Sequence, residues 1–259
     1  GQLGNQMFEI AATLSLAWDH DARALFPDLR KRVDEGIPTN YREVFGDIDT
    51  SQPNEPICFY YQEPYLHYEP IPFRQNMQIC GYFQSEKYFR NYKDKIIALF
   101  SPKPKILDYL ASKYGSIIDN PHTVSIHIRT YVRDGKKEHP NGPVFALNGY
   151  EYVSSAVKLF PDDSLFVVFS DDIPWCKKEL ASLPHNLLFI EGEHYLHDFY
   201  LMNLCKHNII SNSSFSWWAA YLNPNPNKVV VAPSKWFVPS VQPPSEDRDR
   251  IPSEWIVID

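Results

Sequence analysis

Apolar residues first recur at helical spacing near the start of the chain: Met7, Ile10, Ala11, Leu14 and Trp18 share one face over residues 7–18. That spacing is the signature of an amphipathic helix. Residues 28–75 lose all regularity and are rich in Pro and Tyr, with ICFYYQ (57–62) as a strand. MQICGYFQS (77–85) predicts a strand ending in a turn, and SEKYFRNYKDKIIALF and PKILDYLASKY predict helices. From about residue 121 the pattern becomes periodic. TVSIHIR, SLFVVFS, NLLFI, NIIS and KVVVA are short, apolar strands. Between them lie YEYVSSAVKLF, WCKKELASL, HDFYLMNLCK and SFSWWAAYL, each helical in period. Such alternation predicts an α/β fold whose parallel sheet is covered on both faces. The change in pattern divides the chain into residues 1–121 and 122–259.

In parallel sheets ligands bind beyond the C-terminal ends of the strands. The strand ends therefore supply the candidates: His127 and Arg129, then Ser170, Asp171 and Asp172, then Ser211 to Ser216, then Pro233, Ser234 and Lys235. If Ile126 and Ile128 face one side, His127 and Arg129 share the other. A guanidinium there suits a phosphate or diphosphate, because Arg offers a planar fork. The competing reading is an Arg paired with a structural carboxylate beside a core histidine. SNSSFSWW (211–218) runs from a strand into a helix, and hydroxyls at a helix start form a neutral phosphate cradle or a cap. FSDD (169–172) reads as a metal-binding carboxylate pair or as a helix start with Asp172 as N-cap and Pro174 near N1. The second reading is preferred, because no further ligand stands nearby to complete an oxygen shell. Asp198, in the first turn of its helix, is either a helix-start acid or an acceptor for a purine base.

The chain opens with GQLGNQMF (1–8). Gly4 permits close approach of backbone to a bulky ligand, and Asn5 and Gln6 add neutral donors at the mouth of a helix. A tight loop with a capping Asn explains the same residues. It is not the dinucleotide fingerprint, since the third glycine is missing.

Composition narrows the classes. With 44% hydrophobic residues in 259 the chain has material for a core. A net charge of −7 and a pI near 5.7 argue against a nucleic-acid partner. No apolar run approaches the roughly 18 residues of a membrane span. Cys58, Cys80, Cys176 and Cys205 show no regular spacing and read as buried free thiols in a reducing compartment. The expected location is cytoplasmic, or peripheral at a membrane, with the Golgi lumen as the alternative if an N-terminal anchor has been removed. The sequon Asn212-Ser213-Ser214 is discounted, because it leads straight into an apolar helix.

Five segments together carry a resemblance: GQLGNQMF, GYFQSEKYF (81–89), HIR (127–129), FSDDIPWCKKEL (169–180) and HDFYLMNLCKHNIISNSSFSWWAAYLN (197–223). The chain resembles the family 11 glycosyltransferases, the α-1,2-fucosyltransferases, from end to end and most densely after residue 121. The resemblance implies a GT-B-like α/β fold of two Rossmann-like halves with parallel sheets. It implies GDP-fucose as donor substrate, no cofactor, no metal, and inversion at the fucose anomeric carbon. It implies an oligosaccharide or glycoconjugate acceptor whose galactose O-2 attacks that anomeric carbon as GDP leaves. Residues 122–259 would hold the nucleotide and 1–121 the acceptor side.

By the same resemblance Arg129 contacts the donor β-phosphate, with His127 in support. Asn5, with Gly4, closes on the diphosphate or fucose. Asp198 binds guanine, and Ser213, Ser214 and Phe215 contact phosphate. The family usually reads H-x-R-R-G-D-Y, whereas this chain reads HIRTYVRDG: Thr130 replaces the second Arg and the acid moves to Asp134. Asp134 is the candidate general base and Glu138 the runner-up. The rival readings are a fucosyltransferase of α-1,6 or protein O-linked type, or a glycan- or nucleotide-binding module without turnover.

Overall fold

A computed structural model describes residues 2–31, 40, 42–133, 137–138, 144–238 and 248–259. The chain forms two compact units, residues 1–103 with 245–252, and residues 104–244 with 253–259. The division thus falls at 103/104 and not at 121. The helix Pro104–Ile118 packs against the helix Tyr195–Leu204 of the second unit, which assigns it there. A short C-terminal stretch returns to the first unit, and no periodicity in the sequence announces that return.

In the first unit, helix α1 (Leu3–Asp19) buries Met7, Phe8, Ile10 and Ala11, as its spacing predicts. Strands β1 (Phe59–Gln62) and β2 (Met77–Cys80) pair in parallel, Phe59 opposite Met77. Both alternate half-buried and exposed residues. Cys58 and Cys80 are exposed, which corrects the expectation of four buried thiols; only Cys176 and Cys205 are buried. The reason is register: Cys80 lies on the outward face of a strand covered on one side only. The helix expected over 85–100 is broken into two 3-10 turns, Glu86–Tyr88 and Arg90–Tyr92, before α2 (Lys93–Leu99). Phe89 separates the turns; it is buried and its ring meets that of Phe8 at 6.1 Å. Burying that ring outweighs continuity of a short helix.

The second unit opens with α3 (Pro104–Ile118). It then holds a sheet of β3 (Thr123–Ile128), β6 (Leu165–Ser170), β7 (Asn186–Phe189), β8 (His207–Ile209), β9 (Val230–Pro233) and β10 (Ile256–Ile258). Two short strands, β4 (Val132–Arg133) and β5 (Lys137–Glu138), pair apart from it. The sheet order is β10-β9-β8-β3-β6-β7, all pairs parallel. Counted from β3, this is the 6-5-4-1-2-3 arrangement of a dinucleotide-type sheet, whose order reverses between β3 and β8.

Strand β3 is buried at every position, yet alternates apolar with polar residues. Val124, Ile126 and Ile128 join the core beneath α4 (Tyr150–Val157) and α5 (Ile173–Glu179). The other face carries Ser125, to which Asn208 Nδ2 donates at 2.7 Å; the same amide donates to Met202 of α6 (Tyr195–Leu204) at 2.8 Å. Helices thus cover both faces, and the polar half of β3 has partners.

Candidate active site

His127 and Arg129 leave β3 where the strand order reverses. His127 Nδ1 lies 2.8 Å from Ser211 Oγ, so the ends of β3 and β8 are bonded to each other across the switch point. His127 is buried, and burial, reinforced by the Arg129 guanidinium, pushes its imidazole down to about 4. It is therefore neutral near pH 7 and is engaged with the Ser211 hydroxyl.

Arg129 is held from two sides. Its Nη1 lies 3.3 Å from Asp171 Oδ2 at the end of β6, and its guanidinium lies over the Tyr131 ring at 5.4 Å. The other Asp171 oxygen accepts the Thr130 backbone N–H at 2.7 Å. The ion pair is thus single-pointed and leaves most of the guanidinium's five N–H donors to other acceptors. Asp172 caps α5, accepting from Trp175 N at 3.0 Å, with Pro174 in the first turn, as the helix-start reading expects.

Tyr131 has φ +61, a left-handed backbone that a bulky residue adopts only when its surroundings enforce it. Here its hydroxyl donates to Asn212 O at 2.8 Å and its ring stacks on Phe145 at 4.5 Å. Neither Tyr131 nor the Arg-holding role of Asp171 is readable in one sequence. The rule about strand ends did put Asp171 in the right place.

Helix α7 (Ser214–Tyr221) starts at Ser213, whose side chain accepts from Phe215 N at 3.3 Å. Phe215 packs between His127, at 5.7 Å, and Phe199, at 5.2 Å between ring centroids. Asn212 is buried and spends its amide on Ala146 O and Trp236 O, both at 2.7 Å, so the sequon is structural. Ser234, a further strand-end candidate, ties β9 to β10 through Ile258 O at 2.7 Å.

Asp198 stands in the first turn of α6. Its Oδ1 is buried with no hydrogen-bond partner among the described residues. Burial, with the negative charge of Glu193 added, pushes its carboxyl up to about 7. An orphaned buried carboxylate oxygen is costly unless something completes it. Glu193 shows the contrast. Burial opposes its ionisation, but hydrogen bonds from Lys113, Tyr114, His197 and Tyr109 outweigh burial and hold it near 2.

In the first unit Asn5 lies on α1, and its Oδ1 accepts from Gln84 Nε2 at 2.8 Å. Gly4 is buried beside it. Asp134 lies outside the described residues, as does the side chain of Glu138. Among the described residues no three His, Cys, Asp or Glu side chains come together as a metal site.

Comparison with known proteins gives this arrangement a family. An α-1,2-colitosyltransferase of Escherichia coli is 33% identical over 71% of this chain. A galactoside α-(1,2)-fucosyltransferase 1 of Mus musculus is 26% identical over 86% of it. The chain spans less than two thirds of the length of these relatives, 63% and 61% respectively. The solved structure of a mutant of Arabidopsis thaliana FUT1 in complex with GDP matches with a TM-score of 0.52 at 12% identity, covering 90% of this chain and 68% of that one. The fold class is accordingly the GT-B-like α/β class with parallel sheets that the resemblance implies; among the described residues only the second unit has a Rossmann-like sheet, the first holding the two-stranded pair β1-β2. The model of "Glycosyl transferase family 11" matches residues 37–259, which leaves the opening GQLGNQMF outside the match. The chain belongs to glycosyl transferase family 11.

Proposed function

We propose that this chain transfers fucose from GDP-fucose to O-2 of a galactose in a glycan acceptor, with inversion and without a metal. One observation carries the reading. At the reversal of strand order, a guanidinium held by one ion pair and the serine-capped start of α7 stand at the ends of β3 and β8. The same unit carries, on α6, a carboxylate oxygen with no hydrogen-bond partner among the described residues. This is the chemistry a purine nucleoside diphosphate needs. The relatives' α-1,2 specificity favours galactose O-2.

As the glycosidic bond breaks, charge grows on the β-phosphate and the sugar gains oxocarbenium character. Arg129 and the N–H groups at the α7 start stabilise that charge, and stabilise it more as it grows. Neutral His127 keeps Ser211 in place without competing for the phosphate. Asp198, ionised, accepts from guanine N1–H and N2–H₂, a pair adenine lacks. Asn5, with Gly4 beside it, approaches the diphosphate or fucose, and Ser213, Ser214 and Phe215 line the phosphates. Asp134 removes the acceptor proton. The first unit, residues 1–103 with 245–252, serves the acceptor and the second, 104–244 with 253–259, the donor; the location is cytoplasmic.

A second reading keeps the site and changes the sugar: the colitosyltransferase is more nearly identical than the fucosyltransferase. The direct assay measures GDP release from GDP-fucose with and without lactose, followed by linkage analysis. Acceptor-dependent release with an α-1,2 product is expected. Release only from nucleotide-activated colitose would favour the second reading, and no turnover of either would leave a binding module.

Arg129→Lys keeps the charge but loses the fork, and should lower kcat by roughly 10²–10³-fold while GDP affinity falls less. Its melting temperature should stay near wild type. Near-normal kcat in a folded variant would remove Arg129 from the chemistry.

Asp198 accepts two bonds only when ionised, so GDP affinity should decline as pH falls through about 7. Its folded carboxyl is raised above the unfolded one, so the stability it lends at low pH is lost as pH rises through 7. Asp198→Asn should therefore raise the melting temperature at pH 8 while weakening GDP binding roughly 10–100-fold and flattening its pH dependence. Unchanged GDP affinity in calorimetry would make Asp198 a helix-start acid only.

For Asp134 as base, Asp134→Asn should cost about 10²-fold in kcat and leave GDP binding intact. An ordinary kcat would clear Asp134 of that role.

A further inference from the structure

Helix α6 has a weak start. The chain enters it through Gly192 with φ +72, and the His194 N-cap accepts from Leu196 N only at 3.4 Å. The N–H groups of a first turn lack partners within the helix, so a weak cap leaves that turn to be fixed from outside. Glu193 fixes it. Its side chain is 3% exposed and gathers donors from two helices of the second unit. From α3 come the Tyr114 hydroxyl at 2.7 Å, the Tyr109 hydroxyl at 3.1 Å and the Lys113 ammonium. From α6 comes His197, whose Nδ1 lies 2.9 Å from Glu193 Oε2. Tyr109 also stacks on the His197 ring, at 4.0 Å between centroids.

Tyr109 and Lys113 stand one turn apart on the same face of α3. Tyr114 would point about 100° away from Lys113 on a regular helix. The backbone there leaves helical geometry, with φ −123 and ψ 21, and the Tyr114 hydroxyl meets the same carboxylate. Asp198 follows His197 directly. Phe199 comes next, with its ring 5.2 Å from that of Phe215 at the start of α7. The residue before Asp198 is thus tied to α3, and the residue after it to the serine-capped helix. Together these contacts set the place and the rotation of the turn that carries Asp198, whose Oδ1 is buried without a hydrogen-bond partner among the described residues.

We propose that Glu193 is a positioning residue for base recognition: by tying the start of α6 to α3 it holds the Asp198 carboxylate in line with two donors on one edge of a guanine. The proposal rests on the transferase reading above, in which Asp198 accepts from guanine N1–H and N2–H₂. Two parallel hydrogen bonds demand a set carboxylate plane, and a turn free to rotate would make only one of them well. The role accounts for a buried carboxylate that collects four side-chain donors on the same helix start as Asp198.

The test uses the full chain, with calorimetry of GDP and of inosine diphosphate, which keeps N1–H but lacks the N2 amino group, and a melting curve for each variant. Titrations are run at about pH 8.5, where Asp198 is ionised with or without the Glu193 charge beside it. Glu193→Ala should weaken GDP roughly ten-fold and inosine diphosphate less, so that the preference between them shrinks. Tyr114→Phe removes one tether on α3; it should shift the preference the same way by a smaller factor, with a melting temperature near wild type. In an Asp198→Ala background Glu193→Ala should cost no further GDP affinity, because both act on one contact. An unchanged preference in folded Glu193→Ala and Tyr114→Phe proteins would overturn the proposal and leave the transferase reading standing. A GDP loss from Glu193→Ala that persists in the Asp198→Ala background would make Glu193 merely structural and also overturn it. If Asp198→Ala binds GDP like wild type, the base assignment fails and the proposal falls with it. If the wild-type chain binds no GDP, the transferase reading itself fails.

Discussion

The reversal of strand order between β3 and β8 is the constraint on which the second unit depends. Neighbouring parallel strands whose crossovers depart to opposite sides cannot both be covered at their C-terminal ends, and a crevice is left there. Whatever ends β3 and β8 is held against it. In this chain those ends are His-Ile-Arg and Ser-Asn-Ser, and one hydrogen bond, His127 to Ser211, joins them. Burial keeps the histidine neutral, so the bond fixes position without adding charge. The charge comes from Arg129, two residues on, where the strand has just ended.

Three carboxylates of that unit, Asp171, Glu193 and Asp198, stand in contrasting surroundings. Asp171 is engaged on both oxygens, by Arg129 and by the Thr130 N–H, and acts as a clamp. Glu193 is saturated with donors and stays ionised; it ties α3 to α6 through Lys113, Tyr114 and Tyr109. Asp198, in the first turn of α6, has a buried oxygen without a hydrogen-bond partner among the described residues and a carboxyl raised to about 7. A group left unsatisfied beside a well-satisfied one is where stability has been given up, and such positions concentrate at binding sites.

Much of the second unit was legible because its strands are short, apolar and regularly spaced. β3, β6, β7, β8 and β9 all stand where the sequence predicts them, and the rule about strand ends selects Arg129, Asp171 and Ser213 before any coordinates. What was not legible depends on distant partners. Tyr131 takes a left-handed backbone because Asn212 and Phe145 hold its side chain, and nothing local signals it. The unit boundary at 103/104 follows from α3 packing on α6, a tertiary contact. Arg250 reads as one charge in a polar run, DRDR, yet is buried because the chain folds back to meet Gln84. The two exposed cysteines show the same limit: residue type predicts burial, whereas a strand covered on one side decides it.

The central claim is that the ends of β3 and β8 hold a guanosine diphosphate. A crystal structure of the chain with GDP tests it most directly. The account predicts phosphate oxygens on the Arg129 guanidinium and on the N–H groups at the start of α7, with the base edge hydrogen-bonded to Asp198. GDP bound elsewhere, with Asp198 Oδ1 still unpartnered, would contradict it.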